Sequence, residues 1–435
     1  MLHIEVIPEL YHKNLWKYKA EGNVNVVLAF IGKNERFFGT VLRLRKTIIS
    51  NQDTSIDNEN SFENQDLSFS YASSVIGPLL GDEYISKSIL LKVPQTFLKE
   101  LSKAILPMRP ENRIHKDIDF NQHYGILTYD HTIFASDTNL TLSIELKPKW
   151  AFLPSSPFIN SEKFHSCRFC MHKYSKKILS NYCPLDLFSL DEVRLKRAIK
   201  ELLSNPNNNL KMFIQGMQIH IGQGDWPTQL YEFFNFDQSS TDHKTQHQNV
   251  DQKNLLVMLL LCTILEEQIL FKRLKQLQKT LDELDIEGIY KLFLEQRSNL
   301  HDPTLEEWQL IVKEYEQRIK SPDVPHLSMD GAQMRQRIYE FLMSTTLKDC
   351  SIIFTFQKSR FSDETKVADG TSLFFKEKVK FIPFSSDKIY FKYKVNVIDL
   401  DPKSVTKIPY YYDLDAMIVN NYMKCDDITK KKCIE

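Results

Sequence analysis

The run LLVMLLLCTIL, from Leu255 to Leu265, is apolar on every side of a helix. It is about half the ~20 residues that a membrane-spanning helix needs. A helix without a polar face has to be enclosed by other elements, so this chain must build a core deep enough to surround one. Its 435 residues, 42% hydrophobic and 26% charged, supply the material for such a core. That length predicts two or three domains, or two lobes around a cleft.

The run opens a helical region. From Asn254 to about Lys348 leucines recur at helical spacing, as in LDELDIEGIYKLFLEQ and WQLIVKEYEQRI. Two β-type runs follow, CSIIFTFQ at 350–357 and KYKVNVID at 392–399. The other end of the chain reads as successive strands, LWKYKA, VVLAFIG and TVLRLRK. This order predicts an α+β protein with a β-rich N-lobe over 1–135 and a larger C-lobe over 136–435, mainly helical at 255–348. The polar tracts at 50–68 and 237–254 have little to bury and read as disordered insertions.

Charge narrows the partners. The 56 basic and 56 acidic side chains cancel, so no global field draws the chain to nucleic acid or membrane, and any polyanion site must be local. The stretch MLHIEVIPELYHKN lacks the basic start and apolar core of a signal peptide. Seven scattered cysteines fit reduced thiols better than a disulfide framework. An intracellular protein is expected, nuclear or cytoplasmic.

Several stretches carry chemistry. In TLSIELKPK, residues 141–149, apolar and polar residues alternate as in a half-buried strand, and Pro148 ends the pairing. Glu145 and Lys147 then share a face at the strand's end, with Lys149 just beyond; a salt-bridged surface would use the same pattern. KAEGNVN, Lys19 to Asn25, is a glycine hairpin that can bring N–H groups onto phosphate oxygens, or an ordinary surface turn. Arg43 and Arg45 lie on the next strand, where a cation can meet phosphate or water.

FHSCRFCMHKYSKK, residues 164–177, and Cys183 contain the ligand types zinc prefers. No second CxxC or HxxxH follows, which favours a helix presenting Arg168, Lys173, Lys176 and Lys177 to anions or to solvent. Asp349 precedes one late strand and Asp399 closes the other. Carboxylates at strand ends can meet in a cleft, one orienting a hydroxyl and one holding Mg²⁺, or can simply cap turns. Asp401–Pro402 reads as a helix start, placing Lys403 and Lys407 on one face before Pro409 ends the helix.

In order along the chain stand E-G-x-V-N-x-V-L-A (Glu21 to Ala29), V-L-R (Val41 to Arg43), GPLLG (Gly77 to Gly81), E-x-K-P-K (Glu145 to Lys149), CRFCMH (Cys167 to His172), YCPLDLFS (Tyr182 to Ser189), LDIEG (Leu284 to Gly288), KDCSI (Lys348 to Ile352) and IDLDPK (Ile398 to Lys403). Together these closely resemble the inositol-pentakisphosphate 2-kinases over nearly the whole chain. The resemblance implies a two-lobed, kinase-like fold with a helical inositide-binding extension. The implied reaction uses MgATP to phosphorylate the 2-hydroxyl of inositol 1,3,4,5,6-pentakisphosphate.

On that resemblance, Glu21, Gly22, Asn23, Val24 and Asn25 would cover the ATP phosphates with Arg43. Tyr129, Asp130 and His131 would meet adenine, and Glu145 would lie near the nucleotide. Asp349 and Lys147 would be the catalytic groups, Asp349 taking the hydroxyl proton, and Asp399 would hold Mg²⁺. Arg113, Lys147, Lys149, Lys176, Asn208, Asn209, Lys403, Lys407 and Tyr411 would bind inositide phosphates.

The protein-kinase strings H-R-D-L-x-x-x-N and D-F-G are absent, which counts against protein phosphorylation. Some family members carry a Cys/His zinc site after LDIEG. Here 289–348 hold no cysteine, and only His301 and His326, so no structural zinc is expected. A monomer is expected. The alternatives are a catalytically silent inositol-phosphate sensor and a scaffold acting through the helices at 254–348.

Overall fold

The structure is a computed structural model that describes residues 4–48, 67, 69–134, 139–178, 180–207, 209–220, 228–234, 247–320, 329–360, 379–385, 389–425, 430 and 432–435. The tracts at 50–66 and 237–246, and Asn208, lie outside the described residues. The rest of the second polar tract, 247–254, forms the opening turns of the helix His247–Glu266 rather than an insertion.

Two sheets organise the α+β fold. The first has seven strands: β1 (Ile4–Glu5), β2 (Trp16–Glu21), β3 (Asn25–Phe30), β4 (Thr40–Ile48), β5 (Ser88–Lys92), β6 (Lys116–Ile118) and β7 (Tyr124–Tyr129), ordered β1-β5-β7-β4-β3-β2 with β6 paired to β4. The helix Gln95–Ile105 covers one face, burying Phe97, Leu98, Leu101 and Ile105 at helical spacing. They pack with Val26, Leu28, Leu42 and Leu44 in a core of their own.

The second sheet has six strands: β8 (Thr141–Leu146), β9 (Leu210–Ile214), β10 (Met217–Ile219), β11 (Ser351–Arg360), β12 (Lys380–Ser385) and β13 (Ile389–Ile398), ordered β10-β9-β8-β11-β13-β12. Each pair in it is antiparallel. Strand β8 is interior and buried at all six positions, not half-buried as its alternation predicts. Its polar residues are consumed inside: the Ser143 hydroxyl donates to the Thr132 carbonyl at 2.8 Å.

The larger core lies against this sheet. Leu256, Val257, Leu259, Leu260 and Ile264 are buried there, so most of the apolar run is enclosed, while Met258 stays exposed. No single helix among the described residues is long and apolar enough to cross a membrane.

Candidate active site

A cleft of about 770 Å³ opens between the sheets. The β2–β3 turn, β4 and β7 line one side; the ends of β8, β11 and β13 line the other.

Alternation along β4 directs Val41 and Arg43 into the cleft and Leu42, Leu44 and Lys46 towards the core. On β2 the register shifts between Tyr18 and Ala20. One extra residue exchanges the faces of everything after it, so Ala20 pairs with cleft-facing Val27 and Glu21 pairs with core-facing Val26. Gly22, Asn23, Val24 and Asn25 line the cleft.

The expectation for Glu21 is corrected. Its side chain is 1% exposed and is gripped by Arg109 through two bonds, at 3.0 and 2.9 Å, and by Lys46 at 2.5 Å. Burial raises its pKa, but Arg109 and Lys46 outweigh burial and hold it below the usual carboxylate range. Glu21 fastens the loop to the sheet. Arg113, expected at the substrate, is on the same side: its carbonyl accepts from Arg109 at 3.2 Å.

Behind the turn, Lys19 was missed by the sequence reading. Its ammonium donates to Asp130 at 2.6 Å, to the Thr132 hydroxyl at 2.8 Å and to the Gly216 carbonyl at 2.9 Å. It therefore joins β2, the segment after β7, and the β9–β10 turn. Tyr129, Asp130 and His131 all line the cleft, but the Asp130 carboxylate is occupied by Lys19 and Thr132. Burial and the nearby Lys394 ammonium push His131 down to about 3, so it is neutral at physiological pH.

The opposite wall gathers charge from residues far apart in sequence. Lys147 donates to Asp399 Oδ2 at 3.4 Å, and Ser351 Oγ donates to the same oxygen at 3.1 Å. Ser351 also meets Glu145 at 3.2 Å, and Lys211 reaches both Glu145 oxygens at 3.1 Å. Asp349 is held between Lys149 at 3.2 Å and Lys403 at 3.3 Å. Strand register explains the meeting: Glu145 pairs with Lys211 on one side and Ile353 on the other, and Ser351 pairs with Ile398, just before Asp399. Ser351 and Lys211 have no local signal; only this pairing brings them in.

Asp349 ends the helix Gly331–Asp349, where the helix dipole is negative and a carboxylate is disfavoured. Partial burial also pushes its pKa up. Lys149 and Lys403, with Lys147 further off, overcome both and hold it below its ordinary value. Lys149 and Asp399 take left-handed backbone angles, φ 66° and 61°. That conformation is costly for residues with a Cβ and is concentrated at functional sites.

The remaining expected groups lie around this wall. Tyr411 is near enough to Asp349 that burial and the carboxylate together raise its hydroxyl to about 12. Lys176 is exposed at the end of the helix Arg168–Ser175; burial, Lys176, Arg168 and Lys149 together push His172 down to about 4, so these cations share one neighbourhood. The Asn209 carbonyl accepts from the Lys147 N–H at 2.8 Å and so positions the Lys147 backbone. Lys407 is exposed. It precedes the helix Ile408–Met423, whose first turn contains Pro409. Pro409 therefore opens a helix rather than ending one, because proline fits a first turn that needs no N–H.

A cleft with an apolar slot between the two sheets and paired carboxylates among lysines at one wall suits transfer of a charged group. Comparison with known proteins points the same way. The inositol-pentakisphosphate 2-kinase family model matches residues 18–417. The chain is 30% identical to the inositol-pentakisphosphate 2-kinase of Arabidopsis thaliana, over 96% of this chain and 95% of that protein. It is 28% identical to the Danio rerio protein of the same name, covering 95% and 94%. With that of Cryptococcus neoformans it shares 25% identity over 93% and 92%. With a family match across nearly its whole length, and a relative 30% identical over 96% of it, this chain belongs to the inositol-pentakisphosphate 2-kinase family.

Proposed function

We propose that this protein transfers the γ-phosphoryl group of ATP to the 2-hydroxyl of inositol 1,3,4,5,6-pentakisphosphate, giving inositol hexakisphosphate and ADP. The observation that carries the reading is the meeting of Asp349 and Asp399 at one wall, held by Lys147, Lys149 and Lys403. A substrate with five phosphates needs several cations in a water-poor cleft. Two lobes resembling those of kinases, with a boundary near residue 135, would place the nucleotide between the sheets.

The nucleotide base fits the apolar slot between Val27, Val41 and Ile126 on one side and Ile353 and Val397 on the other. Gly22 to Asn25 and Arg43 face its phosphates. In the transfer, the inositol 2-oxygen bonds to the γ-phosphorus as the bridge to the β-phosphate breaks. Asp349 aligns the hydroxyl and accepts its proton as charge moves off the attacking oxygen. The depressed pKa makes Asp349 a weak base in the resting enzyme, which suits a loose transition state where the proton leaves late. Lys147 offsets charge between nucleotide and inositide. Lys149, Lys403, Lys176, Lys407, Asn209 and Tyr411 hold inositide phosphates; Asn208 and Arg113 belong to the same set by resemblance.

Asp399 fits a divalent cation by its donor chemistry. Both of its hydrogen bonds fall on Oδ2, and Oδ1 accepts none among the described residues. Mg²⁺ held there would neutralise charge on the transferring phosphates. All seven cysteines are free thiols, which supports an intracellular location, nuclear or cytoplasmic.

The test is incubation of purified protein with MgATP and a panel of inositol tetrakis- and pentakisphosphate isomers, with products separated by anion exchange. Hexakisphosphate should form only from the 1,3,4,5,6 isomer. Binding of that isomer without product would leave an inositol-phosphate sensor.

A further inference from the structure

Lys149 and Asp349 meet although they lie 200 residues apart, one in the turn after β8 and the other at the end of the helix Gly331–Asp349. The turn is strained. Lys149 holds a left-handed backbone, φ 66°, which a residue with a Cβ keeps only where its surroundings enforce it. Side chains from elsewhere in the chain do the enforcing. The Tyr182 hydroxyl donates to the Pro148 carbonyl at 3.1 Å, and the Arg168 guanidinium lies over the Trp150 ring at 4.8 Å. The Lys149 carbonyl and the Ala151 N–H both go to one side chain, that of Gln278.

Gln278 is in the last turn of the helix Gln268–Thr280 and is fully buried. Its amide nitrogen donates to the Lys149 carbonyl at 3.1 Å and to the Leu347 carbonyl at 3.0 Å. Its amide oxygen accepts from the Ala151 N–H at 2.9 Å. Two carbonyls need two N–H donors and the N–H needs an acceptor, a set that neither a carboxylate nor a hydroxyl can supply. Leu347 stands two residues before Asp349, and its carbonyl is one of the last-turn groups that a helix leaves without a partner of its own. Four residues after Gln278, Asp282 accepts from the Lys348 ammonium, with both side chains buried. One helix end therefore grips the turn after Lys149 on one side and the two residues before Asp349 on the other.

We infer that Gln278 is a positioning residue for the transfer: by holding the Lys149 and Leu347 backbones with one amide, it sets the separation of the Lys149 ammonium and the Asp349 carboxylate. Gln278 does not line the cleft and touches no reacting group. The role rests on the proposed reaction, in which Lys149 holds an inositide phosphate and Asp349 meets the hydroxyl. Without the amide the turn is free to leave its left-handed conformation and carry Lys149 away. A misplacement of about 1 Å near reacting groups can cost on the order of 10²-fold in rate.

Gln278→Met keeps the volume and removes all three bonds. Ser344→Ala is the comparison, because the Ser344 hydroxyl donates to the Gln278 backbone carbonyl at 2.8 Å and joins the same two helices without touching the turn. With MgATP and inositol 1,3,4,5,6-pentakisphosphate, Gln278→Met should lower kcat/KM for the inositide roughly tenfold or more, with the KM for ATP kept within about twofold. Its acidic limb in the pH–rate profile should move to higher pH, because a displaced Lys149 depresses Asp349 less. Ser344→Ala should lose stability and keep wild-type kinetics. A crystal structure of Gln278→Met should show Lys149 out of the left-handed region and its ammonium beyond about 4 Å from Asp349. If Gln278→Met does not fold, Gln278→Asn, one methylene too short to reach both carbonyls, takes its place in every measurement. Wild-type kinetics in the variant, or an equal loss in Ser344→Ala, overturns the positioning role. No turnover by wild type would overturn the proposed reaction instead, and the Lys149–Asp349 separation in the variant crystal then decides the positioning by itself.

Discussion

Removing the Glu21 carboxylate should weaken the fold much more than it weakens nucleotide binding. Glu21, Arg109 and Lys46 are each about 1% exposed at the side chain, and Arg109 also meets Asp117 at 3.1 Å. Burial takes Lys46 below its ordinary value despite Glu21, whereas Arg109 is raised, so the Arg109 pair is the firmer half. Glu21→Ala strands two buried cations against one remaining acid. Breaking a buried pair from one side costs about 3–5 kcal/mol, or roughly 3–5 °C in melting temperature at about 1 °C per kcal/mol for a chain of 435 residues. Adding Lys46→Met should restore part of the loss, because one stranded charge goes.

The pH dependence has a definite sign. The folded-state pKa of Glu21 is depressed, so its contribution is complete above its unfolded value of about 4.3 and fades as pH falls through the folded value. The gap between wild type and Glu21→Gln should therefore be constant near neutrality and narrow below about pH 4. Thermal melts and ATP titration on the same samples decide it. A melt unchanged to within 1 kcal/mol, with ATP affinity down tenfold, would refute the structural role and make the carboxylate a nucleotide ligand.

Gly22→Ala should leave the melt unchanged, since an added Cβ meets nothing within 4 Å, yet raise the KM for ATP if the backbone must approach phosphate. Gly125→Ala makes the contrast: its Cβ would stand 2.7 Å from the Leu44 side chain, and overpacking should cost about 1–3 kcal/mol by chemical denaturation. Lys403→Ala removes a cation that depresses Asp349, so the acidic limb of the pH–rate profile should move to higher pH while the KM for inositide rises. Asp399→Asn should raise the Mg²⁺ concentration needed for half-maximal rate with little change in inositide affinity by calorimetry.

Much of the site was readable because its groups sit at strand ends. E-x-K-P-K, the residue before CSIIF and the residue after KVNVI are local signals, and a strand fixes the direction of what it ends on. Long-range pairing hid the rest. Lys211 and Ser351 enter through β-register. Glu21 was misread because a bulge at Lys19 re-phases β2, and nothing in WKYKAE marks the extra residue. Strand β8 alternates as if half exposed, yet Leu142, Ile144 and Leu146 pack into the larger core and the segment after β7 covers Ser143, so its polar residues face other polar groups rather than water. Pro409 was read as a stop because proline punctuates both ends of helices.

The central claim is that Asp349 acts on the reacting hydroxyl and not on substrate affinity. Single-turnover transfer from ATP to inositol 1,3,4,5,6-pentakisphosphate should be measured for wild type and Asp349→Asn, with calorimetric binding of the inositide to both. Loss of a positioned general base costs about 10²–10⁴ in rate, so Asp349→Asn should lose that factor while binding the pentakisphosphate as tightly as wild type or more so. Transfer within threefold of wild type, or a loss of binding that accounts for the whole fall in rate, would contradict the account.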